Sequence, residues 1–306
     1  MGGGARRHAL HSGSTDGYVK AQQQRVTLNN GVTMPLLGLG TFRLRGSENL
    51  IQAVDAALKC GYRSFDTASV YRNESDLGHA LRQLLPKYGL SRSDIFITSK
   101  LSPADLGPGA GDACLRSLSD LGCDYFDLYL IHWPGKQGWR SDDARNRVAR
   151  EGSWKALEEL YQTGTIKALG VSNYTEAHLA ELLASCRVPP AVLQVECHPR
   201  LPQTALLGWC KQNGVHLQAY SSLGCGDLLG NVEVCKVADI HGCTPSQVLL
   251  RWALQQGVGA IPKASAPARI EENFHVWDFN LSPEEAEMLK GDGAEKRYCW
   301  DPTGVA

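Results

Sequence analysis

From residue 34 onward the chain alternates short apolar runs with longer stretches in which apolar residues recur every three or four positions. The runs are MPLLGLG (34–40), SFDTA (64–68), IFITSKL (95–101), DLYLIHW (127–133), IKALGVS (166–172), AVLQVEC (191–197), VHLQAYS (215–221) and VGAIPKA (258–264). Each has the length of a strand and is apolar along most of it, the pattern of strands buried on both faces of a parallel sheet. Between them, Leu50, Val54, Ala57 and Leu58, or Leu179, Leu182 and Leu183, fall on one helical face. Ser153, Thr175 and Pro245 mark helix starts, and Gly61, Gly164 and Gly214 mark stops. A last helix is predicted over 282–290.

Eight strand–helix units in about 250 residues match an α/β fold of the parallel (β/α)8 TIM-barrel type in count and size. A doubly wound open sheet shares the same rhythm. Its dinucleotide-binding version expects GxGxxG after the first strand, but Gly38-Leu39-Gly40-Thr41-Phe42-Arg43 puts Arg43 in the third glycine position. GPGAG (107–111) also lacks the spacing and reads as a flexible surface loop. Ahead of the barrel, RVTLNNGVTM (25–34) places two β-prone pieces around Asn29-Asn30-Gly31, a hairpin signal. No internal linker is long enough to separate a second domain, so residues 25–306 read as one.

Residues 1–24, rich in Gly, Ser and Gln, read as a disordered tail. They lack the apolar core of a secretory signal and have few apolar residues for a mitochondrial presequence. Arg6 stands where a myristoylation signal wants Ser or Thr.

Lys plus Arg number 31 against 32 for Asp plus Glu, so a chain-wide basic field for nucleic acid or anionic lipid is absent. No apolar run reaches the ~20 residues of a membrane span. Ten cysteines are scattered from Cys60 to Cys299 without a CxxC pair or zinc spacing, which predicts reduced, mostly buried thiols and no metal site.

A barrel carries its chemistry at the C-terminal ends of its strands. There the chain places Asp66, Tyr71 in the loop after it, Lys100 and His132. Each alone has a structural explanation, as a helix cap, a buried ion pair or a core histidine. Together they are complementary. A buried Lys100 needs an anion, which Asp66 supplies. A tyrosine titrates near ~10 in water, and a neighbouring ammonium is expected to lower that value and make Tyr71 a general acid. His132 can donate a hydrogen bond to a carbonyl. The set suits proton transfer to a developing alkoxide, with the reducing equivalent supplied by a cofactor.

GYRSFDTASVYRNE (61–74), TSKL (98–101), LYLIHWP (128–134), ALGVSNY (168–174), LQVECHP (193–199), AYSSLG (219–224) and AIPKASAPARIEEN (260–273) resemble, in order, the motifs of the aldo-keto reductase family. The resemblance runs from about residue 25 to the C-terminus. It implies a barrel that binds NADPH/NADP+ without a Rossmann fold and a tetrad of Tyr71, Lys100, Asp66 and His132. It further implies that Ser172, Asn173 and Gln194 hold the nicotinamide carboxamide and that Tyr220 stacks on the ring. Ser221 and Leu223 would lie along the pyrophosphate. Lys263 and Arg269, with Ser265 in the same loop, would meet the 2′-phosphate, and Glu272 and Asn273 the adenosine end. Two cations at one phosphate favour NADPH over NADH. The sequence departs from the family at Ala264 and Ala266, which offer fewer donors to that phosphate, and at Ser222, which replaces a common proline.

Phe42, Val70, Trp133 and Trp300 are expected to wall the substrate pocket, an apolar and aromatic lining around a few converging polar groups. The tail after the last helix is shorter than in steroid-handling relatives. That points to an open site for small or aromatic aldehydes and ketones; the resemblance implies a monomer, and the expected location is the cytoplasm. Two rival readings of the residues remain. One is the non-catalytic role some family members play as lens proteins or channel subunits. The other is a lyase or hydrolase barrel, which would need a metal cluster or Schiff-base lysine.

Overall fold

The computed structural model describes residues 24–306. Apart from Gln24, the expected N-terminal tail and its targeting signals lie outside the described residues.

The hairpin forms where the Asn-Asn-Gly turn predicts it. Strand β1 (Arg25–Thr27) pairs antiparallel with β2 (Thr33–Pro35), Val26 opposite Met34. Leu28 and Met34 cluster with Phe96, Leu128, Leu130, Ala168, Ala191 and Val192, all but Leu130 at or just before the N-terminal ends of barrel strands. The hairpin thus closes the bottom of the barrel. This shortens the expected first strand: Met34 and Pro35 belong to the hairpin, and only β3 (Leu39–Gly40) joins the main sheet.

The main sheet continues with β4 (Ser64–Asp66), β5 (Phe96–Leu101), β6 (Leu128–Ile131), β7 (Leu169–Ser172), β8 (Val192–Glu196), β9 (His216–Tyr220) and β10 (Gly259–Ala260). Each strand is parallel to its sequence neighbour, which excludes the doubly wound rival. The sheet closes where the first and last strands meet. Gly38 N donates to Ala260 O at 2.9 Å, Gly40 N to Pro262 O at 3.0 Å, and Ala260 N to Leu36 O at 2.7 Å. A Cβ on Gly40 would lie 2.6 Å from Ile261 O, so only glycine lets the two backbones approach this closely.

Helices α1 (Ser47–Cys60), α2 (Glu74–Leu84), α3 (Ala110–Leu121), α4 (Arg145–Gln162), α5 (Glu176–Ser185), α6 (Thr204–Gln212), α7 (Val232–His241), α8 (Pro245–Gln255), α9 (Pro267–Phe274) and α10 (Pro283–Met288) follow the strands. Leu50, Val54, Ala57 and Leu58 of α1 are buried as their spacing predicts, each large one contributing about 1.5–3 kcal/mol. Gly61 ends that helix at φ 114°. Thr175 caps α5, and Thr244 with Pro245 opens α8. No helix among the described residues is long and apolar enough to cross a membrane.

Three local expectations are corrected. Ser153 lies inside α4 rather than at its start, because its hydroxyl bonds the Ala149 carbonyl one turn back and accepts Gly107 N. That bond also anchors GPGAG, whose Ala110 and Gly111 open α3 instead of remaining in a free loop. The ten thiols are free, but only Cys114, Cys197 and Cys210 are buried and Cys225 is exposed. The others lie on partly covered helix and loop surfaces rather than in the core.

Candidate active site

Asp66 is the last residue of β4, Lys100 the penultimate residue of β5, and His132 directly follows β6, so the sheet itself sets their spacing. Tyr71 closes a short helical turn, Ser69–Tyr71, held by Ser69 Oγ donating to Lys100 O at 3.0 Å. The two loops on this side of the rim are stitched together by Asn73. Its amide donates to Thr41 O at 2.9 Å and Leu44 O at 3.0 Å, while its carbonyl accepts Thr67 Oγ1 at 2.7 Å.

Lys100 is fully buried and spends its three donors on Asp66 Oδ1 at 2.5 Å, Thr67 O at 2.9 Å and Tyr71 Oη at 3.1 Å. Burial alone would pull the ammonium down, but the carboxylate and the tyrosine oxygen outweigh it and its pKa is raised. It stays charged at neutral pH. Asp66 has a second donor, Gln194 Nε2 at 2.8 Å from Oδ2, and the same amide nitrogen reaches Gln218 Oε1 at 2.8 Å.

The expectation of a lowered tyrosine pKa is reversed. Burial of the Tyr71 phenol raises it, the Lys100 ammonium offsets only part of that, and Asp66 pushes the same way as burial. Tyr71 is therefore a neutral phenol holding its proton, as a proton donor must be. Its ring lies 5.1 Å from Phe42 and meets His132 edge-on at 5.7 Å. Burial and the nearby Lys100 charge depress His132 to about 3. Its imidazole is neutral, and buried Nδ1 has no protein partner. The arrangement presents a neutral O–H and a neutral imidazole to a cleft, backed by a buried cation.

Around this centre, Asn173 sits at φ 63° with both ends of its amide engaged. Nδ2 donates to His132 O at 2.9 Å and Ser172 Oγ at 3.1 Å, and Oδ1 accepts Tyr220 Oη at 2.6 Å. Contacts thus join Asp66, Tyr71, Lys100, His132, Phe42, Gln194, Asn173, Ser172 and Tyr220 into one constellation. Val70 precedes Tyr71 and is 42% exposed; Trp133 follows His132 and is half-buried; Trp300 is 76% exposed on the C-terminal tail. The ring contacts of Tyr71 are with Phe42 and His132, and none is with Trp300.

The remaining cofactor candidates lie in two segments, one after β9 and one after β10. Ser221 (φ 50°) and Leu223 follow β9, and buried Ser222 has a hydroxyl without a partner. Lys263 and Ser265 lie between β10 and α9, and Ala266, which precedes the helix at its cap position, provides no side-chain cap. Lys263 and Arg269 are exposed and form no ion pair among the described residues. Glu272 accepts Thr244 Oγ1 at 2.8 Å, and buried Asn273 Oδ1 has no partner. Unneutralised cations, an uncapped helix start and orphaned polar atoms fit an anionic, hydrogen-bonding ligand. The site residues therefore fit a phosphorylated dinucleotide.

Sequence reasoning missed Gln218 and Asn73. Gln218 is a lone amide in the apolar strand HLQAY, directly opposite Gln194 in the register, and that interruption was a usable signal. Asn73 left only the ordinary signature of a helix start.

The Aldo/keto reductase family model matches residues 36–291. Glyoxal reductase of Bacillus subtilis is 42% identical over 278 residues, covering 90% of this chain and 95% of that protein. Aldose reductase B of Dictyostelium discoideum is 38% identical, covering 90% and 95% respectively. Among solved structures, the aldose reductase of Schistosoma japonicum superposes with TM-score 0.83 at 39% identity, over 90% of this chain and 93% of that one. On this evidence the chain belongs to the aldo/keto reductase family and is an NAD(P)-dependent oxidoreductase acting on carbonyl groups.

Proposed function

We propose that the protein reduces small and aromatic aldehydes and ketones, dicarbonyls included, to alcohols with NADPH as the reductant. The observation that carries this reading is the buried Lys100 ammonium bonded at once to Asp66 and to the Tyr71 hydroxyl. A bound nicotinamide cofactor supplies the hydride. Tyr71 donates the proton to the nascent alkoxide, and Lys100 stabilises the phenolate that remains. Asp66 keeps Lys100 charged and in place. His132, neutral, orients the carbonyl by a hydrogen bond.

Ser172, Asn173, Gln194 and Tyr220 would hold the nicotinamide end, Ser221 and Leu223 the pyrophosphate, and Lys263, Ser265, Arg269, Glu272 and Asn273 the phosphorylated adenosine end. The unpaired Lys263 and Arg269 support NADPH over NADH, since each adds a charge-assisted contact only where a 2′-phosphate is present. Phe42, Val70, Trp133 and Trp300 form the substrate wall. The 42% identity to the glyoxal reductase of Bacillus subtilis supports dicarbonyls within the substrate range. The same reading includes a monomer working in the cytoplasm, which sedimentation and cell fractionation test.

The test is NADPH oxidation with 4-nitrobenzaldehyde by the natural chain and by Tyr71→Phe. The variant should lose about 10²- to 10⁴-fold in rate while still binding NADPH. Equal turnover by the two proteins would remove Tyr71 from the proposed role.

A further inference from the structure

Glu196, the last residue of β8, is fully buried and lies outside the set that surrounds Tyr71. Its carboxylate is almost saturated. Oε1 accepts Tyr298 N at 2.7 Å and His198 Nε2 at 2.9 Å; Oε2 accepts Cys299 N at 2.9 Å, with the Arg297 guanidinium 3.9 Å away. Burial would raise its pKa, but these donors outweigh burial and hold it below the usual carboxylate range. Two successive main-chain amides of the C-terminal tail are thus clamped by one barrel carboxylate.

The clamped tail touches the loop after β9. Cys299 Sγ is 3.4 Å from Ser221 Oγ. Tyr298 Oη donates to Asp227 Oδ2 at 2.6 Å and Lys296 Nζ reaches the same oxygen at 2.8 Å, Asp227 lying in the helical turn Gly224–Gly230. These last contacts are solvent-exposed and individually weak, whereas the Glu196 clamp is buried and charge-assisted. The order of strength runs from barrel to tail to loop.

We propose that Glu196 is a positioning residue that seats residues 296–300 and, through them, the 221–230 loop, so that it governs how firmly the loop retains the cofactor. The inference rests on the assignment of Ser221 and Leu223 to the pyrophosphate. Removing the clamp frees the tail, and the loop loses its contacts to Cys299, Tyr298 and Lys296 together.

The experiment compares the full-length natural chain with Glu196→Gln and Asp227→Asn. NADP+ dissociation is followed by stopped-flow fluorescence, and alkylation of Cys299 by mass spectrometry without cofactor. Glu196→Gln should release NADP+ about tenfold faster and alkylate at Cys299 about tenfold faster, the scale of one lost charge-assisted hydrogen bond. Its single-turnover hydride step with a small aldehyde should change less than release does, which a general structural defect would not produce. Asp227→Asn should speed release about twofold, and the double variant should add nothing to Glu196→Gln. Wild-type rates of both release and alkylation in a folded Glu196→Gln overturn the inference. If that variant does not fold, an unchanged release rate in Asp227→Asn overturns it and a faster one supports it. A natural chain that neither binds NADPH nor reduces aldehydes instead refutes the proposed function, and the cofactor-free alkylation arm still reports on the clamp.

Discussion

Replacing Lys100 by Met separates what this side chain does for the fold from what it does for the reaction. Met fills similar space but leaves Asp66, 2% exposed, with Gln194 as the remaining side-chain donor to its carboxylate, and strips Thr67 O of the ammonium. Breaking a buried ion pair from one side costs about 3–5 kcal/mol. At about 2–4 °C per kcal/mol for a domain of this size, the melting temperature should fall by roughly 10 °C. Adding Asp66→Asn removes the stranded charge, so the double variant should regain more than half of the loss. Activity should behave differently. Both variants lack the ammonium that offsets the burial of Tyr71, and both should lose about 10²- to 10⁴-fold in turnover. Calorimetry and NADPH oxidation on the same preparations measure the two effects. A double variant as unstable as Lys100→Met, or a single variant as stable as the natural chain, would refute the claim that a buried, mutually dependent pair holds this site.

The remaining predictions concern charge. His132 titrates near 3 in the fold against an ordinary value near ~6.5, so the unfolded chain takes up its proton first as pH falls. Its contribution to stability is present above about pH 6.5 and declines toward pH 3, by an amount on the order of several kcal/mol. Denaturant titrations across that window should show a shallower acid decline for His132→Gln. Lys263→Met should raise the KM for NADPH about tenfold or more and leave the KM for NADH nearly unchanged, since only the former carries the 2′-phosphate. Steady-state kinetics with both cofactors decide it.

Much of the site was legible because its residues interrupt apolar strands at the end where a barrel works. Asp66 after Ser-Phe, Lys100 after Thr-Ser and His132 after Leu-Ile are each polar where the buried pattern calls for an apolar residue. The sign of the Tyr71 shift was not legible, since the sequence names the neighbouring ammonium but not how deeply the phenol is buried. Glu196 was visible only as part of a motif. Its partners are main-chain amides about a hundred residues later, and amides leave no trace in side-chain patterns. The split of the first strand escaped for a related reason. Both fates of Met34 bury it, so hydrophobicity alone cannot choose between them.

The glycine seam between residues 38–40 and 260–262 has a consequence for how the molecule is made. Its two sides are separated by roughly two hundred residues of chain, so it is among the last contacts able to form during synthesis. A nascent chain that has emerged only through β9 already contains Asp66, Tyr71, Lys100 and His132. It still presents two unpaired strand edges, a template for pairing with other chains. Arrival of Gly259 and Ala260 both seals those edges and brings Lys263 beside Gly40. The same event removes that template for pairing and completes the proposed ligand-binding rim.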